Sequence, residues 1–352
     1  MFIVSNVSNS GRLPQFRVTV NSRCGRACFF CRPSGEAVAT TAGAELAVDD
    51  LLRVATVVRA AGISSIKLTG GDPALYEPLE EAVRRLRNQA GFTDIEVISR
   101  HPRIGERASG LAQLGVTQFN MSLDTLDPTL HHELTGIDDH AAVLEALRAC
   151  VATGIPVKVN MVVMDGVNDD HIVDLADFCG TIGVRTLKLL DVIKDLDGGA
   201  ESFARRLAIK RSRRLEDLYT PLKQAASLFI GHELSREVRM QGSLGHPMTA
   251  IALDSGLEIL LKDSTEGSWY GPMCNNCFFF PCHDALMALR LTADLRLQLC
   301  LLRGDNTIDL TDIVRDQPSL KAAINEALRP YAEASFHTST TRPFPVATEV
   351  QS

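Results

Sequence analysis

The 352-residue chain has no apolar run long enough to span a membrane. Charges such as Lys67 and Arg84 interrupt every candidate before the ~18 to 20 uninterrupted apolar residues that a spanning helix needs. A basic excess is also missing: 36 Lys and Arg against 43 Asp and Glu leave a formal net charge of −7. That balance argues against a non-specific binder of nucleic acid or of an anionic membrane surface. Residues 1–21 lack the basic start, apolar block and small-residue cleavage site of a secretory signal. The expected compartment is therefore the cytoplasm. Compositional bias is absent too, since 45% apolar and 22% charged residues exclude a disordered chain, a collagen-like repeat and a coiled-coil rod. The length suits one large domain with a smaller one.

What the chain does have is cysteine. Seven of the nine cysteines fall in two groups, Cys24, Cys28 and Cys31 near one end and Cys274, Cys277, Cys282 and Cys300 near the other. In a reducing compartment such groups point to metal binding or catalysis rather than disulfides. The odd total also speaks against a complete disulfide framework. Cys150 and Cys179 sit in helical patterns and read as small buried hydrophobes.

Between the two groups, apolar periodicity alternates between strand and helix. Strands are expected at Arg17–Val20, Ile63–Thr69, Ile95–Ile98, Thr117–Leu123, Val157–Val163 and Thr186–Leu190. Helices are expected at Leu46–Ala61, Leu75–Gln89, Arg107–Leu114, Ala141–Thr153 and Asp169–Ile182. Six repeats with short connections predict an α/β fold, a partial (β/α)6 TIM-type barrel with right-handed crossovers. Residues at the C-terminal ends of its strands are then the candidates for chemistry: Cys24, Gly70 to Pro73, Ser99, Ser122, Asp124, Asn160 and Met161. Beyond Leu190 come a loop at 195–199, a basic stretch at 205–214 and a connecting helix at Glu216–Ile230. Strand-like segments follow at Met248–Ala252, Leu257–Leu261 and Leu289–Leu299, then a Ser-, Thr- and Pro-rich mobile tail over 337–352.

The first cysteine group, Cys24-Gly-Arg-Ala-Cys28-Phe-Phe-Cys31, spaces three thiols x3 then x2 in one loop. Such a loop can hold three irons of a four-iron cluster and leave the fourth open to chelate an external amine and carboxylate. A zinc site prefers a fourth protein ligand, and the next histidine is as far along as His101.

This loop after a first strand, with Gly70-Gly71-Asp72-Pro73 after the second, resembles the radical S-adenosylmethionine (SAM) superfamily. The resemblance implies that Cys24, Cys28 and Cys31 hold a 4Fe-4S cluster whose open iron binds SAM. Reductive cleavage then yields a 5′-deoxyadenosyl radical that abstracts a substrate hydrogen. It further implies that Phe30 packs near the adenine and that Gly70, Gly71, Asp72 and Pro73 contact the SAM amine, with Asp72 in place of the commoner Glu. A reducing partner such as flavodoxin or ferredoxin, and a small-molecule substrate, are implied as well.

Several segments narrow the resemblance to the GTP 3′,8-cyclases of molybdenum-cofactor synthesis: Phe16-Arg17-Val-Thr-Val-Asn-Ser-Arg-Cys24, Ile66-Lys67-Leu-Thr-Gly-Gly71, Phe119-Asn-Met-Ser-Leu-Asp124, Val157-Lys-Val-Asn160 and Gly166-Val-Asn-Asp-Asp170. This implies SAM contacts from Ser122, Asn160 and Ser99, and a substrate chamber lined by Arg17, Lys67 and Arg290. Plainer readings stay open, Ser122 as a mere strand end and Lys67 as a solvated rim charge.

The second group, Cys274-x2-Cys277-x4-Cys282-x17-Cys300, suits either structural zinc or a second iron–sulfur cluster. The resemblance implies the latter, an auxiliary 4Fe-4S cluster in a small C-terminal α+β twitch domain over 226–336, beside a radical SAM core over 1–225. The chain departs from the cyclases at three places. An insertion at 278–286 adds Cys282, which could close the iron that holds substrate; one of the family's paired arginines is Ala288; and the sequence ends Glu349-Val-Gln-Ser352 rather than in Gly-Gly. The expectation is the same radical chemistry on another substrate, nucleotide-, sugar- or metabolite-like. Cations such as Arg205, Arg206 or Lys210 could steer its phosphate, or belong to a solvated face. A ribosomal peptide is the alternative, made less expected because only 23 residues precede Cys24; a GTP cyclase proper is the other.

Overall fold

The computed structural model describes residues 13–26, 28, 31, 43–192, 215–240, 244–275, 277 and 287–337. The repeats run β1 (Gln15–Thr19), α1 (Val48–Ala60), β2 (Ser65–Thr69), α2 (Leu79–Arg85), β3 (Asp94–Ser99), α3 (Arg103–Leu114) and β4 (Gln118–Ser122). They continue through α4 (Pro128–Thr135), α5 (His140–Ala152), β5 (Val157–Val162), α6 (Ile172–Ile182) and β6 (Thr186–Leu190). These six strands pair in parallel, in order.

Strand alternation explains the layering. Phe16, Val18, Ile66, Leu68, Val97, Phe119, Val159 and Leu187 point one way and join helix residues such as Leu51, Val58, Leu111 and Leu147 in one core. The residues between them, polar in most strands, face the other way, into the concave side. Cys150 and Cys179 are buried in the outer core, as expected, and burial pushes both thiols up to about 12.

The C-terminal half adds β7 (Glu233–Met240), β8 (Pro247–Leu253), β9 (Glu258–Lys262), β10 (Ser268–Tyr270), β11 (Ala288–Leu291), β12 (Arg296–Gln298), β13 (Thr307–Asp309), α7 (Gln317–Ala332) and β14 (Ser335–His337). All of these strands but β10 and β14 extend the two edges of the barrel sheet, giving the order β13-β12-β11-β1-β2-β3-β4-β5-β6-β9-β8-β7, while β10 and β14 pair antiparallel as a separate two-stranded sheet. β9 runs parallel to β6, and β11 runs parallel to β1. The fold is thus an α/β partial barrel. Within 226–336, the expected C-terminal unit, β7 to β9 and β11 to β13 hydrogen-bond into this sheet.

Three local expectations are corrected. Leu289–Leu299 is a hairpin, because Thr292 N–H donates to Arg296 O at 2.9 Å and Leu295 adopts a left-handed φ of 59°. The connecting helix at Glu216–Ile230 is two 3₁₀ segments, Leu215–Leu218 and Leu222–Phe229, since Pro221 disfavours a helical residue before it. Leu75–Gln89 breaks at Pro78 for the same reason, so α2 starts at Leu79 and closes in a π turn, Leu86–Ala90. Helices α4 and α7, absent from the periodicity reading, are set by caps: the Asp127 side chain accepts from Thr129 N at 2.7 Å and that of Asp316 from Ser319 N at 3.2 Å. Among the described residues no helix is long and apolar enough to cross a membrane.

Candidate active site

The cysteine loop leaves the C-terminal end of β1 and packs on the Gly-Gly turn after β2. Gly71 N–H donates to Asn21 O at 2.8 Å, Asp72 N–H to Arg23 O at 2.6 Å, and Asn21 Nδ2 to Asp72 O at 3.0 Å. The glycines serve space, not a special φ. A Cβ on Gly70 would lie 2.7 Å from Asn21 O, and one on Gly71 would lie 2.2 Å from Arg23 O. Within the loop, Cys31 N–H donates to Cys28 O at 3.0 Å, and Arg26, buried, pairs with Asp139, which also meets His131 Nε2 at 3.0 Å. Burial pushes the Cys24 thiol up to about 11, aided by Asp72, and raises Cys28.

Around this mouth stand the ends of β3 to β5. Ser99 closes β3 and donates to Asp72 Oδ1 at 2.6 Å. Ser122 and Asn160 are register partners across β4 and β5. Asp124 accepts from Arg100 Nη2 at 2.6 Å and from Val162 N at 2.9 Å. The Gly166-Val-Asn-Asp motif has a structural role: buried Asn168 donates to Asp124 O and Val162 O, both at 2.9 Å, and accepts from Met164 N at 2.8 Å.

Deeper in, one register row crosses five strands: Arg290, Arg17, Lys67, Glu96 and Gln118. Lys67 Nζ meets Glu96 Oε2 at 2.9 Å, and Asn120 Nδ2 donates to the same oxygen at 2.8 Å. Lys67 is 12% exposed in its side chain, which removes the solvated-rim reading. Burial works to raise Glu96, but Lys67 and its other partners outweigh it and hold the carboxyl below its usual range. On the same face, Lys158 is lowered by burial and by Lys67. Lys188, fully buried, is held well below a normal lysine by burial and then by Lys262, Lys158, Lys67 and Arg17. At the N-terminal end of the strands this space opens as a cavity of about 380 Å³ touching Gln15, Lys67, Glu96, Lys158, Arg239 and Glu258.

The second cysteine group lies at that opposite end. β12 runs antiparallel to β11, and Cys300 follows it two residues on. Tyr331 Oη lies 2.8 Å from Ala288 O and 2.9 Å from Leu299 O and shares its one proton between them, pinning this corner beside the start of β1. Cys274 is held near 11 by burial, with Cys300 and Cys277 adding to the rise, and Arg303 donates to Met273 O at 2.6 Å beside them. Among the described residues, no three His, Cys, Asp or Glu side chains converge on a point that would suit one metal ion. A tetrahedral zinc needs its sulfurs about 2.3 Å from a single centre. An iron–sulfur cube bonds each thiolate to a different iron and so tolerates a wider set.

Residues 18–179 match the family described as the Radical SAM superfamily. The chain carries a radical SAM domain. Curated proteins named "Probable GTP 3',8-cyclase" are similar along most of the length. The one from Thermococcus kodakarensis is 28% identical over 86% of this chain and 89% of its own. The one from Methanothermobacter thermautotrophicus is 27% identical over 89% and 93%. Among solved structures, Streptococcus suis SuiB bound to S-adenosylmethionine superposes with a TM-score of 0.54 at 13% identity, covering 86% of this chain and 65% of that protein's length. Native anSMEcpe with bound AdoMet gives 0.52 at 12%, covering 90% and 82%. At such identity the two solved structures bear on fold alone.

The radical SAM enzyme thus brings its expected mouth residues together: Cys24, Cys28, Cys31, Gly70, Gly71, Asp72, Pro73 and Ser99 lie around one turn, with Ser122 and Asn160 on the adjoining strands. Phe30, Cys282 and the basic stretch at 205–214 lie outside the described residues, as does 338–352 of the expected tail. The donor set fits a 4Fe-4S cluster with an open iron, since one loop carries three thiols, with Cys24 and Cys28 in electrostatic reach of Arg26 and Cys28 and Cys31 in that of Arg100. Sequence reasoning missed Lys188, Lys262, Glu96 and Arg100 as site residues, and quoted Lys158 only inside a motif. The signal was a charge alternating with apolar residues inside a strand, as in Val157-Lys-Val and Leu187-Lys-Leu.

Proposed function

We propose that this radical SAM enzyme abstracts hydrogen from a phosphorylated, nucleotide- or sugar-like small molecule bound in the barrel between two iron–sulfur sites. Cys24, Cys28 and Cys31 would hold the SAM cluster, with Phe30, the Gly70–Pro73 turn, Ser99, Ser122 and Asn160 around SAM. Cys274, Cys277 and Cys300, with Cys282, would hold an auxiliary 4Fe-4S cluster. When bound and reduced, the first cluster and SAM supply a radical able to take a hydrogen atom from carbon.

The observation that carries the substrate class is the concave face. Arg17, Lys67, Lys158, Lys188, Lys262 and Arg290 face it against the carboxylates Glu96 and Glu258. Buried like charges repel, so a lumen built this way is stabilised by a polyanion that neutralises them. The protein's own task is to hold that anion still, exclude water and present one C–H to SAM. The names of the curated relatives favour GTP itself as a second reading, while Cys282 and Ala288 favour a different nucleotide. A reducing partner of flavodoxin or ferredoxin type completes the cycle.

Reconstituted, reduced protein is incubated with SAM and GTP, other nucleoside triphosphates, sugar phosphates or peptides, and 5′-deoxyadenosine is measured. A phosphorylated compound should accelerate its release, and Lys158→Met should remove the acceleration while leaving slow uncoupled cleavage. Acceleration by peptides alone would refute the reading. Iron analysis with spin resonance on wild type and Cys282→Ala tests the second site. About eight irons support two clusters, and four irons plus a zinc would exclude the auxiliary one.

A further inference from the structure

The Asp72 carboxylate has no acceptor site left for a ligand. Oδ1 accepts from Ala74 N at 3.0 Å and Ser99 Oγ at 2.6 Å, and Oδ2 accepts from Arg100 N at 2.9 Å and His101 N at 3.0 Å. A carboxylate offers about four acceptor positions, and the residue is 2% exposed. The bond to Ala74 closes a tight turn at the start of the 3₁₀ segment Pro73–Leu75, and the reach of an aspartate suits it. The other three bonds gather the turn after β3. That turn carries Arg100, whose side chain is 11% exposed and whose guanidinium pairs with the buried Asp124, within electrostatic reach of Cys28 and Cys31.

We propose that Asp72 is a positioning residue rather than a ligand of SAM: its carboxylate clamps the turn after β3 and so fixes the Arg100 cation beside the cysteine loop. This rests on the assignment of Cys24, Cys28 and Cys31 to the SAM cluster. Glutamate would be one methylene too long for the turn, which accounts for aspartate here.

The test is a double-mutant cycle on reconstituted enzyme, with Asp72→Asn, Arg100→Gln and both together. SAM affinity, cluster midpoint potential and 5′-deoxyadenosine release are measured for each. Removing a nearby cation makes reduction harder, so Arg100→Gln should lower the potential, and Asp72→Glu, which strains the clamp but keeps the negative charge near Cys24, should move it the same way. Each single variant should slow release roughly tenfold, and the double variant should fall within about twofold of Arg100→Gln, since the two act as one unit. Asp72→Asn also removes that anion, which offsets part of the shift, so for this variant the release rate is the readout. The proposal is overturned if Asp72→Glu keeps the wild-type potential, or if Asp72→Asn weakens SAM binding and the losses of the two single variants multiply. Should Asp72→Asn fail to fold, Ser99→Ala removes one clamp bond; a lowered potential supports the proposal and an unmoved one overturns it. Wild type without a four-iron signal would instead fail the cluster assignment.

Discussion

Replacing Gly71 by alanine tests whether the Gly-Gly turn is there for space. The new Cβ would stand 2.2 Å from Arg23 O, 2.4 Å from Arg23 C and 2.7 Å from Ser22 C. All three are backbone atoms, so no flexible side chain can swing aside. Ordinary contact would require a shift of more than about 1 Å, in the segment leading directly into Cys24. The shift would break two short backbone bonds, Gly71 N to Asn21 O and Asp72 N to Arg23 O, at about 1 kcal/mol each. Overpacking adds roughly 1–3 kcal/mol, for a total of about 3–5 kcal/mol. With unfolding entropy scaling at roughly 2 cal/mol/K per residue, that lowers Tm by about 4–7 °C in a chain of this length. Calorimetry of the apo protein measures the loss, and iron content after reconstitution should fall with it. Gly110→Ala is the control: it lies within α3 with nothing within 4 Å of its added Cβ, so stability should rise by roughly 0.5–1 kcal/mol. A Gly71→Ala protein that melts like wild type and loads its full iron would refute the steric argument.

Lys188 has its folded pKa pushed well down by burial and its cationic neighbours, so folding is penalised wherever the side chain is still charged in the unfolded chain. Lys188→Met should therefore melt higher than wild type at pH 7 in the apo state, the gap narrowing as pH rises toward about 10.4. Tripolyphosphate should raise the melting point of wild type more than that of the variant, and an equal rise would count against Lys188 as part of the anion site. Glu96 has a folded pKa below its usual value, so its contribution is fully present above about 4.3 and fades as pH drops through the lower folded value. Glu96→Gln should flatten that part of the acid melting curve, and an identical curve would show the Lys67 pair to be idle. Cys274→Ala should spare slow SAM cleavage but impair substrate turnover; equal loss of both would mean that the two cysteine groups do not have separate roles.

The sequence by itself determined the repeat and its chemistry. Six strand patterns of period two, interleaved with helical ones, suffice for a parallel barrel, because each strand must bury one face against its helices and the crossover has one allowed hand. Motifs confined to one loop were equally legible, since Cys24 to Cys31 and Gly70 to Pro73 are contiguous and their spacing carries the geometry. Breaks such as the hairpin at Thr292–Leu295 were not, because apolar alternation runs through the turn unchanged.

Tertiary structure decided everything that depends on strands far apart in sequence lying side by side. Only the register brings Arg290 beside Arg17 and Lys67, joins β9 to β6, and sets Lys188 among four other cations. Each lysine alone reads as a surface charge, and their sum becomes visible only when the sheet curls and places them on one concave face. The same holds for Asp72. Its motif suggested a ligand, whereas its four hydrogen bonds come from residues up to 29 positions away, and only folding shows that they already occupy it.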